Sequence, residues 1–297
     1  MSLMENQEQY IQTLYEHKYL FTEEELLEAK CVYQLALQKN EDAMVEVANI
    51  LQLMQRYEEA AFWLTEASEL GSVEAKYHLA NCYFEGLGVK EDFKKAFQLY
   101  QYAAEKGHAD AANNLADMYL NGEGIPVNPK KALYWFKTAA DQNVVEAMFT
   151  LGIMYEQGIG VKRNDEIAFG YYLQSAEGGY LDAQYRIGSV YLEGLLGKEK
   201  NIQEALKWFK KAAEFHHIDS IYNLGFLYEN GIGVPRSGKK ALHYYKRASL
   251  LGDYQAKLNI AFIYENGIDV EVNKKKAKHW KDLAFLQMQN EKYNFKI

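Results

Sequence analysis

The chain has 297 residues, 48% hydrophobic and 25% charged, as is ordinary for a folded globular protein. Three prolines leave room for long helices, and 24 tyrosines are an excess that calls for explanation. The formal net charge of −8 is unevenly placed: residues 1–71 carry 14 acidic against 4 basic side chains, the remainder 27 against 29. An acidic N-terminal part speaks against a nucleic-acid partner, because phosphate binding needs a basic face.

Cys31 and Cys82 do not recur with any period, so a disulfide-stapled secreted scaffold is not expected and a reducing compartment is the simpler reading. Met1-Ser2-Leu3-Met4-Glu5-Asn6-Gln7-Glu8 has neither a basic start nor an apolar run, so no signal peptide is expected. The expected location is cytoplasmic, although a protein translocated into a host cell would equally lack a classical signal. No apolar run is long enough for a membrane span.

In chain order, a helix is predicted over residues 6–18. Thr22-Glu23-Glu24-Glu25 reads as a capping box opening a helix to about Gln38, and residues 1–40 read together as an N-terminal helical cap. Residues 41–72 read as a degenerate helix pair without a glycine turn. From residue 73 a pattern of Leu or Ile, Gly or Ala, two variable residues and Tyr recurs. Its tyrosines are Tyr83, Tyr119, Tyr155, Tyr191, Tyr228 and Tyr264, each 36 residues on except for one step of 37 at the longer turn Gly194-Leu195-Leu196-Gly197. About a dozen residues after each tyrosine comes an alanine, from Ala96 to Ala277, preceded by lysine in four copies. Leu99, Trp135, Tyr171, Trp208, Tyr244 and Trp280 follow three residues later. Apolar positions at helical spacing on both sides of a Gly-x-Gly turn describe a helix-turn-helix whose apolar face is buried only by stacking on neighbours. The repeats are 73–108, 109–144, 145–180, 181–217, 218–252 and 253–289, with a tail at 290–297.

Two departures stand out. Asp269 replaces the second turn glycine of the last repeat, and aspartate tolerates the left-handed region better than most residues. Gly170 lies inside a second helix, where it costs roughly 1 kcal/mol relative to alanine and suggests close packing or a bend.

The pattern Ala-x-x-x-Leu-Gly-x-x-Tyr-x-x-Gly-x-Gly-Val, followed by Lys-Ala-x-x-(Trp/Tyr)-(Tyr/Phe)-x-x-Ala-Ala, resembles the Sel-one-like repeat family of the tetratricopeptide-like superfamily. Ala147–Val161 with Ala168–Ala176 carries it closely. The resemblance implies an all-α fold, a right-handed α-α superhelix or solenoid of tandem helix-turn-helix repeats, with about fourteen helices plus caps. It also implies that first helices line a concave groove. Two residues before the motif leucine and two after it, that groove would carry Tyr77, Asn113, Phe149, Tyr185, Tyr222 and Leu258, then Asn81, Asp117, Ile153, Ser189, Phe226 and Phe262. The next position inward holds Phe84, Leu120, Glu156, Leu192, Glu229 and Glu265. These positions vary between repeats, and exposed aromatics are favoured anchors for a partner.

Other chemistry is poorly supported. The glycine turns follow helices and never read as a phosphate loop. His216-His217 and His108 lie between helices with no ligand spacing for a metal, and no cofactor is expected. Cys82 reads as packing, and the four tryptophans Trp63, Trp135, Trp208 and Trp280 read as core. Glu74, Asp110, Glu146, Asp182 and Asp219 sit in first turns, where a negative charge meets the helix dipole and free N–H groups. The expected function is a non-catalytic scaffold or adaptor that binds a protein or peptide on its concave face, with a regulatory or host-interaction role in a low-GC bacterium. A toxin-neutralising immunity protein is the alternative. A β-lactam-binding or hydrolysing enzyme, known among cysteine-rich relatives, is remote, since the repeated cysteine pairs and a Ser-x-x-Lys element are missing.

Overall fold

The repeat closes on itself through one turn, seen in the pair α5 (Val73–Glu85) and α6 (Phe93–Glu105). Four helices, α1 to α4 (Glu5–Glu16, Glu23–Leu37, Glu41–Leu53 and Tyr57–Leu70), precede this pair. Ser72 caps α5 by accepting the N–H of Ala75, and Gly86 ends it in the left-handed conformation at φ 70°. The N–H of Asp92 then donates to the carbonyl of Tyr83 at 2.9 Å, while its carboxylate accepts from the N–H groups of Lys94 and Lys95. The same backbone bond joins Asn128 to Tyr119, Asn164 to Tyr155, Asn201 to Tyr191, Ser237 to Tyr228 and Asn273 to Tyr264. The lysine ammoniums of Lys95, Lys131, Lys240 and Lys276 lie 4.9–5.1 Å from the centroids of the tyrosine rings. That contact links the Lys-Ala mark to the motif tyrosine across the turn.

The computed structural model describes residues 5–294, with side chains over 8–290. Every element among the described residues is helical, and the chain forms two compact units, residues 1–147 and 148–297. The first unit opens with α1 (Glu5–Glu16), a 3-10 turn (Lys18–Leu20), α2 (Glu23–Leu37), α3 (Glu41–Leu53) and α4 (Tyr57–Leu70). After α5 and α6 come α7 (Ala109–Asn121) and α8 (Pro129–Ala140). Helix α9 (Val145–Gln157) starts at its end. The second unit continues with α10 (Asp165–Glu177), α11 (Leu181–Glu193), α12 (Ile202–Glu214), α13 (Ile218–Asn230), α14 (Gly238–Leu250), α15 (Tyr254–Asn266) and α16 (Lys274–Asn294). Successive helices pack on each other in antiparallel pairs, as in α3 on α4, α7 on α8 and α13 on α14. The expected capping box is present, with Thr22 and Glu25 each accepting the other's backbone N–H. Helix α16 runs on to Asn294 where a tail was expected, and residues 295–297 of that tail lie outside the described residues.

The core is set one residue later than the tryptophan register implies. Trp63 and Trp208 are buried, but Trp135 and Trp280 are only half-buried. The deepest rings are Tyr100, Phe136, Tyr172, Phe209 and Tyr245, the next residue along each second helix. In three repeats the motif glycine makes room for them: a Cβ on Gly152, Gly188 or Gly225 would stand 2.5–2.7 Å from the ring of Tyr172, Phe209 or Tyr245. The second turn glycine has a different job. A Cβ on Gly88 would lie 2.0 Å from the carbonyl of Tyr57, the first residue of α4, and Gly124 meets Phe93 of α6 likewise. Where Asp269 takes this place, at φ 53°, the small residue has moved to the other side of the contact. Gly238 opens α14, and a Cβ there would stand 1.7 Å from the carbonyl of Ile268. Gly170 breaks the expectation of close packing, because nothing lies within 4 Å of where its Cβ would be.

Two alanine substitutions should therefore move stability in opposite directions. Gly170→Ala should stabilise by about 0.5–1 kcal/mol, as for an unhindered helix interior. Gly188→Ala should destabilise by about 1–3 kcal/mol, because it overpacks the buried Phe209 ring. Urea titrations of both variants, read by circular dichroism, check the signs.

Candidate binding surface

The inner positions of the first helices prove to be tied to their own repeats. The Tyr172 hydroxyl donates to Glu156 at 2.7 Å and the Tyr245 hydroxyl to Glu229 at 2.6 Å. Burial and the neighbouring glutamate together push the Tyr172 phenol up. Where the deep ring is Phe136 or Phe209, which has no hydroxyl to satisfy, the first helix carries Leu120 or Leu192 at the matching place. In the last repeat Lys281 replaces the ring and pairs with Glu265 at 2.7 Å. Charges at this depth answer the second helix of their own repeat, and Glu156 also pairs with Arg186 of the next repeat.

The half-buried aromatics of the first set join one repeat to the next. Tyr77 stacks on His108 with ring centroids 4.2 Å apart, and Tyr185 lies 5.1 Å from His217. Phe149 contacts Tyr172 and Tyr180, and the Tyr222 hydroxyl accepts from Asn259 at 3.0 Å. The two histidines are helix caps: Nδ1 of His108 accepts the N–H of Ala111, and Nδ1 of His217 that of Ser220, both at 3.2 Å. Their Nε2 atoms meet the first-turn acids of the preceding repeat, Glu74 at 3.2 Å and Asp182 at 3.0 Å. At Glu74 and Asp182 the first-turn acids hold these histidines, and the helix caps are other residues: Ser72 for α5, while Tyr180 makes no side-chain cap. The intervals of 34 residues from Glu74 to His108 and 35 from Asp182 to His217 in the sequence were the available signal for this bridge.

In the first unit the inner face is a polar network. Tyr100 and Asn114 donate to Asn81 Oδ1, and Asn113 donates weakly to Asp117 at 3.4 Å. Phe84 packs edge-on against Phe93. The Asp117 carboxyl is pushed up to about 6, first by burial and then by the charge of Glu123. Asn113 Oδ1 and Glu123 Oε2 are buried without a hydrogen-bond partner. Cys82 is buried below this network, accepting from Gln52 at 3.6 Å, and burial pushes its thiol up to about 11.

The second unit holds the exposed part of the predicted set. Phe226, Phe262 and Leu258 are 40%, 49% and 37% exposed. Phe262 also lines a cavity of about 600 Å³, with Glu229, Arg236, Asn266, Ile268 and Asp269 among the other walls. Arg236 is anchored by its Nε on the carbonyl of Glu229 at 2.9 Å. Ser189 departs from the expected set: it is buried, and its hydroxyl donates to the carbonyl of Tyr185 one turn back, which withdraws it from a partner. Among the described residues no group of three or more His, Cys, Asp or Glu could hold a metal ion, and no helix is long and apolar enough to cross a membrane.

Asp117 gives a pH-dependent cost. Its folded-state value lies above the ordinary 3.8, so the folded protein favours the proton, and stability falls as pH rises from about 4 to about 6. Asp117→Asn should raise stability at pH 7.5 by about 1–3 kcal/mol and change it little at pH 3.5. Parallel urea titrations at the two pH values check this.

The Sel1 repeat model matches residues 54–72, 73–108, 109–144, 145–180, 181–214, 218–253 and 255–284. A Sel1 repeat protein from Oxalobacter formigenes is 31% identical with a TM-score of 0.73, over 81% of this chain and 98% of that one. A protective antigen of uropathogenic Escherichia coli with an SLR fold is 27% identical with a TM-score of 0.75, over 86% of this chain and 56% of that one. A comparison with proteins of curated function finds no match. Six full-length copies of the motif, the tandem helix pairs and a family match over most of the sequence agree: the chain belongs to the Sel1 repeat family.

Proposed function

We propose that this protein is a non-catalytic scaffold that binds a protein or peptide, and that its contact surface is the inner face of the second unit, centred on Phe226, Leu258 and Phe262. The observation that carries the reading is selective exposure. Most inner positions are satisfied within the array, either by their own second helix or by the next repeat. Phe226 and Phe262, at equivalent places on α13 and α15, keep large apolar surface in the open, and Phe262 lines a cavity rimmed by Arg236, Glu229 and Asp269. Exposed aromatics with a polar rim are the composition of a recognition hot spot. Tyr185 and Tyr222, expected as anchors from their register, are half-buried fasteners between repeats and serve this surface by holding it rigid. The inner carboxylates of Glu156, Glu229 and Glu265 are taken up by Tyr172, Tyr245 and Lys281, which supports a binding role over an enzymatic one.

The test is affinity capture on immobilised protein from an extract of the source organism, with quantitative mass spectrometry. The wild type should retain a small set of proteins that Phe226→Ala/Phe262→Ala loses at least about tenfold, the scale of a hot-spot truncation. Phe215→Ala, an exposed aromatic off the inner face, should retain them. Equal retention by all three would remove this surface from consideration.

A further inference from the structure

Inside the first unit, the face of a first helix that looks back toward the preceding repeat is an engaged face. The residue six places after the helix cap reaches back in three first helices, Asn114 to Asn81 in the first unit and Arg186 to Glu156 and Asn259 to Tyr222 in the second, while His78 bonds Glu74 on its own helix. Ten places after the cap, Cys82 receives a hydrogen bond from Gln52 on α3. Helix α3 is capped by Asn40, so its residues at these places are Glu46 and Ile50. They line a cavity of about 290 Å³ whose other walls are Leu20, Phe21, Glu25, Glu28, Ala29 and Leu53. Helix α1 contributes no residue to this lining among those described; its Tyr10 stacks on Tyr33 and donates to the carbonyl of Ala29.

The lining has a definite chemistry. Leu20, Phe21, Ile50 and Leu53 supply an apolar floor, with Leu53 66% and Leu20 45% exposed. Glu25, Glu28 and Glu46 supply three carboxylates, and among the described residues no ion pair reaches any of them. Lys30, the cation on α2, is turned to Tyr15, to which it donates at 2.7 Å. The surrounding segment, residues 1–71, has 14 acidic against 4 basic side chains. A helix fits this place by register, an apolar stripe fits the floor, and Lys or Arg beside that stripe fits the rim.

We propose that this cavity is a second docking site, separate from the inner face of the second unit, and that it takes a cationic amphipathic helix of a partner protein. The site works by placing leucine-like side chains on Ile50 and Leu53 while lysine or arginine side chains pair with Glu28 and Glu46.

The probe is a fluorescein-labelled leucine–lysine peptide of about 15 residues, long enough to hold a helix when bound, titrated with the full chain and read by anisotropy. Saturable binding is expected, weakened at least about tenfold by Glu28→Lys/Glu46→Lys, by Leu53→Asp and by raising salt to about 0.5 M. The isosteric pair Glu28→Gln/Glu46→Gln should weaken it in the same direction with unchanged circular dichroism, which separates loss of the site from loss of fold. A peptide with glutamate for lysine, or alanine for leucine, should bind at least about tenfold more weakly. Phe226→Ala/Phe262→Ala should bind the peptide like the wild type. The proposal is overturned if no saturable binding occurs, if the glutamate variants bind unchanged, or if the acidic peptide binds equally. It is also overturned if sedimentation shows the unliganded chain self-associating through a contact that Glu28→Lys/Glu46→Lys abolishes, since the occupant would then be a second copy.

Discussion

Everything else in the array depends on how closely the two helices of a repeat approach. In three repeats a ring on the second helix, Tyr172, Phe209 or Tyr245, lies against a backbone that has no side chain at Gly152, Gly188 or Gly225. This contact sets the spacing at which the Tyr-to-cap backbone bond can close the turn, and that bond in turn aims the next helix. Close-packed interiors tolerate little change in volume. The same constraint recurs at the turn, where Gly88 and Gly124 let one repeat's turn touch the start of a preceding second helix. The exchange of Gly for Asp at position 269, with glycine at position 238 across the contact, shows that the requirement belongs to the contact and can be met from either side.

With that spacing given, the inner face is largely committed. A buried tyrosine hydroxyl must find an acceptor, so Glu156 and Glu229 are drawn to Tyr172 and Tyr245, while phenylalanine asks only for leucine. Histidines at two caps serve both the free N–H groups of their own helix and the acids of the repeat before. What is left uncommitted is therefore informative. In the second unit it is an aromatic surface with a polar rim. In the first unit it is a carboxylate-lined apolar cavity and, at Asp117, an acid whose burial costs stability at neutral pH.

Much of this was legible in the residues. The six tyrosines at near-constant spacing, the glycine turns and the alanine marks place the six helix pairs from residue 73 on, because a stacking repeat must present the same small and large residues at the same places. The eighteen inner positions were legible as positions but not as a surface. Ser189 is withdrawn by a bond to its own backbone, and Tyr77, Tyr185 and Tyr222 are half-covered by a neighbour 31–37 residues away in sequence. The tryptophan register pointed one residue short of the deepest ring, since two adjacent aromatics cannot both face the same first helix.

The sequence by itself determined the fold class and the placing of the six helix pairs that carry the tyrosine motif, because those follow from periodicity and from backbone rules at glycine and at caps. Only the tertiary structure decided which inner residues stay open to a partner. Exposure depends on what the next repeat places opposite each side chain, and that is a contact between residues no local pattern brings together.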